Sequence, residues 1–175
     1  MAVGEHAKPM CEVAAHIRAS LDPLAERTGA AFGKAFYDSL LSDAAAMYDS
    51  TLPSAALVYV KHRFTTIDWP GFLLMLQRGF FIDGLTPSEP EFYERAARQV
   101  GIPVEGFFAG IASDGNLAQT HAEFAFVRSL DVTGFPALVL EQPDGTRHLV
   151  QQGYASYERV ASLIDRLLAL RLSLD

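Results

Sequence analysis

The sequence predicts an α+β chain that is mostly helical, and three observations carry that prediction. Apolar residues recur at helical spacing, punctuated by caps, from Met10 to Leu130. Beyond Leu130 two short apolar runs flank Pro143-Asp144-Gly145-Thr146, which is turn chemistry. A last helical pattern follows Ser156. The order is roughly six or seven helices and then β-β-α. With 175 residues, 50% of them hydrophobic and 20% charged, the chain suits one globular domain, or one domain with a large insertion.

Each element has its own signal. Met10 to Thr28 shows Val13, Ile17, Leu21 and Leu24 on one face. Asp22-Pro23 predicts a kink there, and Gly29 a C-cap. Lys34 to Leu41 reads as a short helix. Leu52 to Phe64 is helical, with Pro53 in its first turn. Trp69-Pro70 opens a nearly all-apolar helix, Gly71 to Phe81, expected to be buried. In "TPSEPEFYERAARQVG", Ser88 is the expected cap, Pro90 sits in the first turn, acids lead, Arg95 and Arg98 trail, and Gly101 closes. Pro103 starts a short helix through Phe107 and Ile111. Asn116 to Leu130 carries Ala118, Ala122, Ala125 and Phe126 on one side. Ala137 to Leu140 and Arg147 to Gln151 read as an antiparallel hairpin. Ser156 caps the final helix, with Tyr157, Val160, Ala161, Ile164, Leu167 and Leu168 as its expected buried face.

Composition narrows the function classes. A net charge of -7 argues against nucleic acid or an anionic membrane as the main partner. No apolar run approaches the ~20 residues of a membrane span. The start, Met1-Ala2-Val3-Gly4-Glu5-His6, has no signal-peptide pattern, so the cytoplasm is the expected compartment. The single cysteine, Cys11, excludes an intrachain disulfide.

The most informative stretch is Thr133-Gly134-Phe135-Pro136-Ala137. A proline at a strand's start gives no N–H to the ladder. It is either punctuation after the preceding helix or a cis-proline with a purpose. The order of helix, Val-x-Gly-aromatic-Pro, strand, Gly turn, strand, Gly-Tyr and terminal helix resembles the C-terminal half of a thioredoxin fold. It is most similar to the DsbA-like family, in its FrnE-like cytoplasmic branch. "YDSTLPSAALVYV", "LLMLQRGFFIDGLTPSEPEFYERAARQVGI" and "VGEHAKPM" resemble successive segments of that family, so the likeness covers nearly the whole chain.

The resemblance implies an incomplete thioredoxin-like fold. Residues 1-130 would be a large all-helical insertion, with the helix at 116-130 leading into the hairpin. Residues 131-175 would be the C-terminal β-β-α part. It also implies thiol-disulfide oxidoreductase ancestry, with a cis-proline loop in which Gly134, Phe135 and Pro136 bind an extended protein or peptide substrate as an added strand. The bland alternative for Phe135 is core packing. The family's chemistry needs a Cys-x-x-Cys whose first thiolate attacks a disulfide and whose second resolves it. No such pair is written here, and about 40 residues of a strand-helix-strand unit look absent, on a domain-size argument. Truncation, an upstream start, or another chain supplying the missing pairing, including a second copy across a twofold axis, would each account for this. The expected activity of this sequence in dithiol exchange is none. The rival functions are a non-redox peptide- or protein-binding module and a relative of the glutathione-dependent isomerases.

Other candidates are weaker. Cys11 stands near a helix start, but one thiol cannot complete an exchange cycle, and a bystander is the better reading. His6, His16, His62, His121 and His148 lack metal-ligand spacing. His121 falls on a helix that the family packs near the cis-proline loop, but an ordinary surface histidine is favoured. Glu89, Glu91 and Glu94 read as a capped first turn. The stripe Phe72, Leu73, Leu76, Phe80 and Phe81 could line a cleft over the cis-proline, though core packing fits better. No glycine-rich phosphate loop or other cofactor signature occurs.

Overall fold

A computed structural model describes residues 7–172. The chain divides into two compact units, 1–120 and 121–175, with the division inside one helix.

In the first unit, strand β1 (Lys8–Pro9) leads directly into helix α1 (Met10–Thr28). α1 runs through Pro23 as one helix and stops where Gly29 adopts φ 70, its N–H donating to the Ala25 carbonyl. Helix α2 is Lys34–Asp38, shorter than the sequence suggests; a 3₁₀ turn, Leu40–Ser42, takes over its last apolar residues. Strand β2 (Met47–Tyr48) then returns to pair antiparallel with β1. This ladder interrupts the otherwise helical region. Two residues per strand are too few for an alternating pattern to show in sequence.

Helices α3 (Thr51–Arg63), α4 (Trp69–Phe81), α5 (Pro90–Gln99) and α6 (Phe107–Ile111) follow. α5 shows why its sequence signal was strong. Glu89, not Ser88, occupies the N-cap position, because Pro90 is the first helical residue. Arg98 reaches back to Glu91 and Glu94, at 3.1 and 3.0 Å. At the other end Ile102 N–H bonds Ala97 O and Gly101 N–H bonds Arg98 O, a Schellman closure with Gly101 at φ 79 and Ile102 buried. α6 begins at Phe107 rather than at Pro103, because Gly106, at φ 69, precedes it.

Two apolar clusters form the core. One gathers Phe72, Tyr93, Phe107 and Ile111 from α3 to α6; the other gathers Met10, Leu21, Phe36, Leu40 and Leu41. Phe80 packs against both. The chain after α4 is stitched to α2 at two glycines. A Cβ on Gly33 would collide with the Ile82 carbonyl, and Gly33 N–H donates to Phe81 O at 2.8 Å. Gly84, at φ 65, lies against the Ala35 backbone. α4 is not buried all round: Phe72 and Leu76 face the core, while Leu74 is 51% exposed. A helix of this apolarity has more greasy positions than the cluster has room to cover.

Helix α7 (Asp114–Ser129) spans the division. Its start is held in the first unit by Asn116, whose Nδ2 donates to Ala55 O at 2.9 Å and Ile111 O at 2.8 Å. The side bearing Ala118, Ala122, Ala125 and Phe126 is the exposed one.

In the second unit, β3 (Ala137–Glu141) and β4 (Arg147–Gln152) form the expected antiparallel hairpin, with a register irregularity between Leu138 and Val139. Helix α8 (Tyr157–Leu172) follows, and Ser156 Oγ accepts from Arg159 N–H at 3.3 Å, as its cap reading required. Its buried face needs correction. Val160, Ala161, Ile164 and Leu167 are half-buried, but Tyr157 is 82% exposed and Leu168 47%. The helical stripe is wider than the hairpin it packs on.

Candidate functional site

The segment between α7 and β3 is held by a few specific bonds. Asp131 turns the chain with φ 56, a left-handed conformation that aspartate tolerates better than most residues. Gln152, the last residue of β4, clamps Thr133 with both ends of its amide. Its Oε1 accepts from Thr133 N–H at 3.0 Å, and its Nε2 donates to Thr133 Oγ1 at 3.0 Å. Pro136 O accepts from Gly153 N–H at 2.8 Å, which extends the hairpin pairing by one rung. The Phe135-Pro136 peptide bond is cis.

Between these anchors Phe135 is 62% exposed, and Pro136 is exposed beside it. Core packing, the bland reading of Phe135, does not describe its surroundings. Gly134 is half-buried against Gln152; a Cβ there would stand 3.7 Å from the Gln152 side chain, an ordinary contact. Among the described residues β3 has one ladder partner, β4, so its other edge carries no backbone pairing. Leu138 on that strand is 40% exposed and Leu149 on β4 is 47% exposed. The arrangement offers an aromatic surface and an open strand edge, both suited to an extended peptide.

The remaining candidates disperse. Cys11 is exposed in the first turn of α1, in the first unit. His16, His62 and His121 are exposed; the His121 ring lies edge-on to Phe124, with 6.0 Å between centroids. His148 Nε2 is 2.8 Å from Gln142 Nε2. His6 lies outside the described residues. Glu91 and Glu94 serve Arg98, as a helix-turn reading requires. Phe72 and Leu76 are core; Leu73, Leu76, Phe80 and Phe81 border a pocket in the first unit whose lining includes no residue of the Phe135-Pro136 loop. No described group of three or more His, Cys, Asp or Glu gathers as a metal site would. The residue that sequence reasoning missed is Gln152. Its side chain acts across the hairpin, and nothing in "VQQGY" marks one glutamine over the other.

No family model matches the chain, and no curated protein matches it. Solved structures do. A candidate protein disulfide isomerase from Nitrosomonas europaea is similar with a TM-score of 0.80 at 26% identity, over 91% of this chain and 75% of that one. The cytosolic disulfide reductase DsbM from Pseudomonas aeruginosa is similar with a TM-score of 0.71 at 24% identity, over 96% of this chain and 80% of its own. DsbM solved with GSH gives 0.70 at 25% identity, over 87% and 75%. These likenesses give the chain a DsbA-like thioredoxin fold, similar to the folds of known disulfide oxidoreductases.

Proposed function

We propose that the 175-residue chain holds a peptide segment of a protein thiol or disulfide substrate at Gly134, Phe135 and Pro136, and that by itself it does not carry out dithiol exchange. The observation that carries this is the exposed Phe135 ring on a loop clamped by Gln152, beside a strand edge that has no ladder partner among the described residues. The sequence holds one cysteine, and exchange needs a nucleophilic and a resolving thiol. The likeness to a cytosolic reductase supports the cytoplasm as the compartment, and no described helix is long and apolar enough to cross a membrane.

Two assays test the reading together. The chain should not accelerate insulin reduction by dithiothreitol or glutathione. Turnover that disappears in Cys11→Ser would refute the inactive half. An extended cysteine-containing peptide should bind, and Phe135→Ala should weaken it by about 1–3 kcal/mol, the range for losing a buried aromatic anchor. Binding indifferent to Phe135 would remove the peptide-holding half. The open β3 edge favours a second reading, a homodimer that pairs the two edges, and concentration-dependent association lost on adding the peptide would favour it.

A further inference from the structure

The first unit contains a pocket of about 240 Å³ that the loop at Phe135 does not involve. It runs from the surface into the core: Met47 on its wall is 40% exposed, while Met10 is fully buried. Leu57, Leu76 and Phe80 supply much of the remaining apolar wall. Its size sets the ligand's size. An apolar cavity of roughly 150 Å³ accepts one benzene, and drug-sized sites begin near ~300 Å³. This pocket therefore fits one ring with a short arm. Two methionines on the wall let it adapt to the exact shape.

Charge sets the rest. The lining holds one ionisable carboxylate, Asp49, and no lysine, arginine or histidine. Asp49 is fixed in place, because its Oδ1 accepts from Thr51 N–H at 2.8 Å and from Thr51 Oγ1 at 2.6 Å at the start of α3. Its charge is felt in the core: burial first, and then the Asp49 carboxylate, push the Tyr93 hydroxyl above its ordinary pKa. An anionic ligand would meet that same repulsion, whereas a cationic head would be attracted.

We propose that this pocket binds a small amphipathic amine, with one aromatic ring or a branched aliphatic group of similar size and a protonated nitrogen one or two bonds away.

Methyl-¹³C methionine labelling of the full chain gives a direct readout, since Met10 and Met47 line the pocket and Met75 does not. Benzylamine, benzyl alcohol and benzoate are titrated in turn at neutral pH. Benzylamine should shift the Met10 and Met47 methyl signals saturably, leave Met75 in place, and bind about tenfold tighter than the alcohol, with benzoate weakest. In Asp49→Asn, which keeps a capping side chain and removes the charge, amine and alcohol should bind alike. If that variant disturbs Met75, Asp49→Ser makes the same test. Absence of a saturable shift overturns the proposal. So does benzyl alcohol or benzoate matching benzylamine, or an amine preference that survives loss of the carboxylate.

Discussion

Phe72 and Val150 are each a buried apolar residue, but they belong to regions of different character. Phe72 is fully buried in a cluster built from four helices. Val150, at 9% exposure, is the one residue of the described 121–169 side chains that reaches the buried class. Around it Phe126, Phe135, Leu138, Leu149, Tyr154 and Tyr157 all remain exposed. The helical unit buries two apolar clusters within itself, although Leu24, Trp69 and Leu74 stay exposed. The β-β-α unit is well hydrogen-bonded yet leaves much of its apolar surface open.

Substitutions should separate the two regions by size of effect. Phe72→Ala should cost about 3–5 kcal/mol, as expected for emptying a packed aromatic site. Urea unfolding followed by the fluorescence of Trp69, the single tryptophan and a residue of the first unit, would measure it. Val150→Ala should cost about 1–2 kcal/mol, and a larger loss would show that the second unit is better packed than its exposure indicates. In native-state hydrogen exchange, amides of β3 and β4 should exchange at least about tenfold faster than those of α3 and α5, because their opening exposes less buried surface. Equal protection would erase the contrast.

Alkaline pH probes the helical unit alone. The Tyr93 hydroxyl is buried, donates to Pro87 O, and has its pKa raised by burial and then by Asp49. The folded state therefore holds the proton more tightly than the unfolded state. The stabilisation is complete below the ordinary tyrosine pKa of about 10 and is lost as pH rises through the raised value. Tyr93→Phe should flatten the alkaline limb of a stability-pH curve, and a limb that persists would assign the loss to other groups. The smallest effects belong to the loop. Gln152→Ala should cost about 1 kcal/mol and speed exchange of the Thr133 amide. Gly134→Ala should change stability by less than about 0.5 kcal/mol, since its Cβ has room.

How far the sequence could be read follows the same division. α5 was legible because Pro90, the leading acids and Gly101 are local signals, and local bonds realise them. The hairpin was legible because Pro143 to Thr146 is a turn whatever surrounds it; in the structure Gln142 N–H bonds Thr146 O across it. The position of the Gly134-Phe135-Pro136 loop could be read from pattern, but its clamp could not, because Gln152 acts through a contact distant in sequence. Tyr157 and Leu168 were misplaced for a similar reason. Periodicity gives a helix's apolar face, but the width of that face that becomes buried depends on the partner. The pocket beside Met10 and Asp49 draws residues from α1, β2, α3, α4 and α5, and of these only the apolar stripe of α4, with Leu73, Leu76, Phe80 and Phe81, shows in the sequence.

Phe80 belongs to both apolar clusters of the helical unit, with its ring 5.3 Å from Phe36 and 4.9 Å from Phe81. One side chain is thus counted in two cores, and neither core can loosen without disturbing the other. Calorimetry of residues 7–120 within the whole chain should accordingly register these clusters as one melting event. Trimming Phe80 to alanine should not merely lower that event's temperature; it should broaden it or split it into two.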